Sequence, residues 1–338
     1  TINGQPMLTM RNGCAGFFTE DEVENSGGIL LGENKAEEKK GHYTGGYRPL
    51  LQASPETYDD TRITALRNGD LAAAFGSEFR DKPLAPGLRL PDGRMRLLER
   101  VLSMDPAGGP YGLGLIRAEA DIHPDDWFLT CHFVDDRVMP GTLMYECCAH
   151  TLRIFLQRMG WITPKESACY EPVIGQPAVL KCRGPVTPDT RHVHYEVIVR
   201  EMGYNPAPYV IAEARMYADG RLIVSFDGMS MQLSGVTQTE LETLWGVGAA
   251  APARSAPAEK QPRFGREQLL AFSTGKPSEA FGEPYRIFDQ GRVIARLPAP
   301  PYAFMDRVTA VEPPPWVLEP GGWVTAEYEV PPDEWYFK

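Results

Sequence analysis

Residues 131–146 read CHFVDDRVMPGTLMYE, with His132 at one end, Glu146 at the other and Pro140-Gly141 between them. The run that follows the Pro-Gly step, TLMYECCAHTLRIFLQRM (142–159), places Leu143, Met144, Cys147, Cys148, Thr151, Ile154, Phe155 and Met159 at helical spacing. This periodicity predicts a helix with a broad buried stripe, and a proline just ahead of the first turn marks where it starts. The first N–H groups of such a helix have no partner within it, and the helix dipole adds partial positive charge there. A carbonyl gaining negative charge would be stabilised at that point, and Gly141 leaves room for it to approach. Glu146 and His150 fall one turn apart on the same helix, where burial is expected to raise a carboxyl pKa, as a general acid requires. His132 is expected in a loop or at a strand end. A lone histidine or a single helix glutamate is more often a structural group; it is their fixed spacing around Pro-Gly that makes His132 and Glu146 a candidate base and acid.

Composition narrows the class. The chain has 338 residues, is 43% hydrophobic and carries a net charge of -11, enough for about two domains with real cores. The acidic balance argues against nucleic acid or anionic membrane as the main partner, and no apolar run reaches the length of a membrane span. Cys14, Cys131, Cys147, Cys148, Cys169 and Cys182 form no disulfide framework and no paired metal spacing, so reduced thiols and a cytoplasmic location are expected. Cys131 beside His132 raises a thiol nucleophile as an alternative. It is disfavoured because neighbours in an extended segment point opposite ways. His192 and His194 face the same way on a strand and could ligate a metal, but no third ligand has suitable spacing, so cross-strand packing is the better reading. Arg153, Arg158, Lys165, Lys181 and Arg183 are candidates for a local basic patch, or else scattered surface charges.

Beyond the helix the chain turns to strands. AVLKCRGPV, HVHYEVIVREM, PYVIAEARMYA and RLIVSFDGMSMQL are β-rich runs bounded by turn residues such as Asp219-Gly220. One long helix with several consecutive antiparallel strands is an α+β pattern in which a sheet wraps the helix.

The sequence also repeats. RNGDLAAAFG in the stretch 62–128 lies beside STGKPSEAFG in 263–338, with Gly69 and Gly275 each six residues before Phe75 and Phe281. Further on, Glu99 to Val101 (ERV) matches Asp306 to Val308 (DRV), and AEADIHPDDWF matches AEYEVPPDEWY. Residues 2–28 resemble 218–246: a turn, an apolar strand, a glycine and a short acidic helix. The expected organisation is therefore the tail of one module (1–27), a connecting segment with the charge run KAEEKK (28–60), a complete module (61–246), an Ala/Pro-rich linker (247–262) and the head of a following module (263–338).

The segment DIHPDDWFLTCHFVDDRVMPGTLMYECCAH resembles the active-site region of the bacterial 3-hydroxydecanoyl-ACP dehydratase/isomerase family, whose order is W-F-x-x-C-H-F, M-P-G, helix, acid. LLERVLSMD upstream and YADGRLIVSFDGMSMQL downstream extend the likeness, which is strongest to the dehydratase region of polyunsaturated fatty acid synthases. The resemblance implies a hotdog fold, in tandem or double-hotdog arrangement. It implies His132 as base, Glu146 as acid, Gly141 as the oxyanion N–H donor and Val138 as the carbonyl that orients the imidazole, with His150 and Cys131 as supporting candidates. Three positions depart from the family pattern. Glu146 stands where the family member nearest in motif has Asp, as in related non-isomerising dehydratases. Arg137 replaces a usual proline, and His150 replaces a common glutamine.

What the resemblance implies is conversion of a 3-hydroxyacyl thioester to a trans-2-enoyl thioester and water. The substrate would ride on the phosphopantetheine of an acyl carrier protein, with double-bond isomerisation open and no metal or organic cofactor needed. In the family the base and acid of one site come from two packed hotdogs, so a second module, in a homodimer or as a neighbour, would be a required partner. A hotdog thioesterase and a non-catalytic scaffold module that binds carrier protein are the alternatives.

Overall fold

The computed structural model describes residues 9–13, 16, 19–25, 29, 41–43, 47–133, 135–247, 263–313, 322–331 and 334–337. Cys14, the KAEEKK run and residues 248–262 of the expected linker lie outside the described residues. Along the chain run α1 (Glu20–Asn25), β1 (His42–Tyr43), β2 (Glu56–Tyr58), α2 (Asp60–Asn68), α3 (Leu71–Phe75), β3 (Arg100–Asp105), β4 (Leu115–Asp121), α4 (Trp127–Cys131) and α5 (Gly141–Arg158). Then follow β5 (Cys169–Glu171), β6 (Val179–Cys182), β7 (His192–Gly203), β8 (Tyr209–Ala218), β9 (Arg221–Ser234), α6 (Gln238–Leu244), α7 (Arg266–Thr274), α8 (Pro277–Phe281), β10 (Arg307–Glu312) and β11 (Trp323–Glu327). The chain divides into a larger unit (17–123, 140–253 and 335–338) and a smaller one (1–16, 124–139 and 254–334).

The larger unit is a sheet against one long helix. Its strands run in the order β2-β3-β4-β7-β8-β9-β5, with β1 beside β7 and β6 beside β9. All neighbours are antiparallel except β1, which runs parallel to β7. The pleat explains how this sheet acquires two characters. Ala118, Tyr195, Val197, Ala214, Met216 and Val224 are buried, and the pairs Ala118 with Tyr195, Val197 with Ala214 and Met216 with Val224 sit directly opposite one another. The intervening positions carry charge. Arg117 faces Glu196, Glu119 faces His194, and Asp121 faces His192. His192 Nδ1 lies 2.8 Å from Asp121 and His194 Nε2 lies 3.0 Å from Glu119, so both histidines serve cross-strand pairing. Arg100, at 2.7 Å from Glu119 and 2.9 Å from Asp121, lowers the Asp121 carboxyl to about 2. This is the α+β hotdog arrangement.

Helix α5 packs on β4, β7, β8 and β9. Every residue of its predicted stripe, from Leu143 to Met159, is buried. The closest approach is at Gly114, whose φ of 139° and missing Cβ let the strand lie against the Phe155 ring; a Cβ there would be driven into that ring. Asp219 and Gly220 both take positive φ, 45° and 83°, in the tight turn between β8 and β9.

The repeated segments also fold alike. In the larger unit α2 ends at Gly69 and α3 at Gly76; in the smaller, α7 ends at Gly275 and α8 at Gly282. Hairpin β3–β4 breaks register between Val101 and Ser103, and hairpin β10–β11 breaks it between the matching Val308 and Ala310. Arg100 with Glu119 and Asp121 has its counterpart in Arg307, 2.8 Å from Glu327 and 2.5 Å from Glu329. A capping box likewise opens both short acidic helices: Thr19 with Glu22 before α1, and Thr237 with Glu240 before α6.

Candidate active site

His132 belongs to the smaller unit and Glu146 to the larger, and each has its own surroundings. His132 follows α4, a single helical turn, and its loop closes on itself through Val138 N–H to the His132 carbonyl at 3.2 Å. Arg137 stitches the loop back onto α4: its Nε donates to the Leu129 carbonyl at 3.2 Å and its Nη2 to the Pro124 carbonyl. The residue that replaces the family's proline thus braces the loop by hydrogen bonds rather than by a fixed φ.

The loop orients the imidazole. Nδ1 lies 3.0 Å from the Val138 carbonyl oxygen, which can only accept, so Nδ1 carries the hydrogen and Nε2 is left with the lone pair. Burial of the half-exposed ring lowers its pKa from 6.5, opposed by the Val138 carbonyl and Asp136. A neutral imidazole with Nε2 available is the form a general base needs. Cys131 corrects one expectation: it ends the α4 turn rather than lying in an extended segment, and it is buried, its carbonyl accepting from Ala299 N–H at 3.3 Å.

The larger unit carries the other residues. Helix α5 begins at Gly141 behind Pro140, whose φ of -58° suits the helix entry, and no side chain caps it. A Cβ on Gly141 would meet nothing within 4 Å, so its approach is open. Five residues on, Glu146 keeps 37% of its side chain accessible, yet burial raises its carboxyl pKa, with Arg153 pulling the other way. His150 lies below it, 1% accessible, with Nε2 3.5 Å from the Glu146 Oε2. Burial, aided by Arg153 and Arg67, pushes the His150 pKa well down, so it stands as a neutral group behind the acid. The neighbouring Cys147 and Cys148 are fully buried thiols with raised pKa values, the opposite of an activated nucleophile.

The structure therefore brings His132 to Val138 and Glu146 to His150, with Gly141 on the helix of Glu146. It does not make one basic patch of the five cations. Arg158 is buried, 2.7 Å from Glu56 and 2.9 Å from Glu78, and Lys165 pairs with Glu240 at 2.5 Å. Two aromatic neighbours of the His132 loop escaped the sequence reading: Trp127 and Tyr302, the latter with its ring centroid 5.8 Å from the imidazole. The only sequence signal for Tyr302 was its place in the repeat.

Residues 90–227 match the model of the FabA-like domain family. The chain is 30% identical over 222 residues to a polyunsaturated fatty acid synthase polypeptide of Thraustochytrium sp. (strain ATCC 26185 / S-3), a match that spans 64% of this chain and 15% of that protein's length. Among solved structures, the dehydratase heterocomplex ApeI:P from Xenorhabdus doucetiae is similar at 14% identity and a TM-score of 0.31, over 47% of this chain and 93% of that one. The E. coli PaaI protein of the phenylacetic acid degradation operon is similar at 10% identity and a TM-score of 0.27, over 40% and 80%.

Proposed function

Residues 90–227 belong to the FabA-like family, and from that premise we propose that the protein dehydrates 3-hydroxyacyl thioesters to trans-2-enoyl thioesters in fatty acid or polyunsaturated fatty acid synthesis. The observation that carries the reading is the His132 imidazole, held by the Val138 carbonyl in the tautomer that presents Nε2 as a base. The substrate arrives on the phosphopantetheine of an acyl carrier protein, and its thioester carbonyl accepts from the Gly141 N–H at the start of α5. That contact polarises the carbonyl and acidifies C2. His132 Nε2 takes the C2 proton, the electron pair forms the C2–C3 double bond, and the C3 hydroxyl leaves with the Glu146 proton as water. The imidazolium then loses its proton to solvent and Glu146 regains one, so no metal or organic cofactor is consumed. His150 supports the acid from behind, and the complete site takes its base and acid from two hotdog modules.

The raised Glu146 pKa favours this reading over hydrolysis, because a thioesterase carboxylate must be ionised to position water, whereas an acid must hold its proton. The test is product analysis of the purified chain with 3-hydroxyacyl thioesters of several lengths. The expected product is the enoyl thioester, formed about 10² to 10⁴ times more slowly by His132→Ala and strongly impaired in Glu146→Gln. Release of free 3-hydroxy acid would identify the hydrolytic alternative, and unchanged turnover in His132→Ala would identify a scaffold.

A further inference from the structure

The His132 loop is covered by a segment from the other copy of the repeat. In the smaller unit, residues 298–304 run past α4, and Ala299 N–H donates to the Cys131 carbonyl at 3.3 Å. Tyr302 stands edge-on to the imidazole, at 5.8 Å between centroids and 77° between planes, and packs on Trp127 at 5.8 Å. Its own position is fixed. Tyr302 N–H closes a turn on the Ala299 carbonyl at 2.9 Å, and its ring packs on Phe304 at 4.8 Å. The preceding stretch is tied to α7 by Ser273 Oγ on the Pro298 carbonyl at 2.9 Å and by Arg296 on the carbonyls of Phe272 and Gly275 at 3.0 and 2.8 Å.

The contact recurs in the repeat. Aligning Arg89-Leu90-Pro91 with Arg296-Leu297-Pro298 sets Arg94-Met95 against Pro301-Tyr302, and Trp127 against Trp335. In the larger unit the Arg94 guanidinium lies 5.6 Å from the Trp335 ring centroid. In each unit, then, the segment after Arg-Leu-Pro of one copy packs on the tryptophan before the catalytic-loop position of the other.

We propose that Tyr302 is a positioning residue for His132, supplied by the following copy of the repeat, which fixes the plane of the imidazole and shields it from water. The inference rests on His132 acting as the base. An aromatic edge against the ring disfavours rotation away from the Val138 carbonyl, and the cover contributes to the desolvation that keeps the ring neutral. Asp136 is the charged group facing the imidazole from its own loop, and the Tyr302 hydroxyl is the titratable group on the segment packed against it.

The test uses the full chain with Tyr302→Phe, Tyr302→Leu and Tyr302→Ala. The His132 imidazole is titrated by NMR, with His132→Gln assigning its signal, and enoyl thioester formation is followed against pH. In Tyr302→Ala the His132 pKa should rise toward 6.5 and kcat should fall about tenfold or more with little change in KM. Tyr302→Phe should restore both, and Tyr302→Leu, which retains bulk without the aromatic edge, should shift the titration in the same direction as Ala. An unchanged His132 titration in folded Tyr302→Leu and Tyr302→Ala would overturn the proposal. Absence of enoyl product from the wild type would instead remove the dehydratase reading, with the titration still deciding whether Tyr302 positions the ring.

Discussion

Burial within α5 raises the Glu146 carboxyl pKa, so at neutral pH the ionised form weighs against the folded state. The sign follows from linkage: a carboxyl with a raised folded pKa favours the fold below its unfolded value, and that contribution disappears as pH rises through the folded one. Glu146→Gln should therefore melt at a higher temperature than the wild type at pH 8, with the gap closing near pH 4, as thermal unfolding across pH will show. His150 has the opposite sense. Its pKa is pushed well below 6.5, so as pH falls beneath 6.5 the unfolded chain binds a proton that the folded chain refuses. His150→Gln, which removes that proton, should move the acid-unfolding midpoint to lower pH by circular dichroism. An unchanged midpoint would mean His150 titrates alike in both states. Both residues were legible in the sequence because helical spacing placed them on one buried helix. Arg158 was not: periodicity says which way a side chain points but not that Glu56 and Glu78 wait there to neutralise it.

At the level of elements, α5 and strands β7 to β9 stood out because both periods were strong, 3.6 in the helix and 2 in the strands. The short strands β5 and β6 were harder to read. β6 has all four residues exposed, so no alternation marks it, and β5 has only three residues. The α4 turn was missed for a related reason. Five residues carry little period, and Cys131-His132 reads as extended until the Arg137 bridges to Leu129 and Pro124 are seen. The seat of α5 on the sheet depends on Gly114, since the Phe155 ring occupies the space a side chain would need. Gly114→Ala should destabilise the protein by about 1 to 3 kcal/mol through overpacking and its positive φ. Chemical denaturation will measure this, and Gly112→Ala, where a Cβ meets one backbone atom only at 4.0 Å, controls for the positive φ shared by both positions.

Over the whole chain, the repeat organises both halves of the account. The matching bulges at Val101 and Val308 and the matching Arg100 and Arg307 ion pairs are details that sequence similarity alone did not reveal, because they depend on hairpin register. We propose on this basis that residues 61–246 form one complete module and 263–338 the head of the next, each catalytic half-set being completed by another hotdog. If a second copy of the chain supplies that partner, mixing inactive His132→Ala with inactive Glu146→Gln should restore part of the wild-type rate, because one pocket of the mixed pair holds both intact residues. No recovery in mixtures shown to contain hetero-oligomers would assign the partner role to a neighbouring module instead. The most direct test of the central claim is the product formed from a 3-hydroxyacyl thioester by wild type and His132→Ala. The account predicts enoyl thioester from the wild type and a rate lower by about 10² to 10⁴ in the variant. Free 3-hydroxy acid, or equal rates from the two proteins, would contradict it.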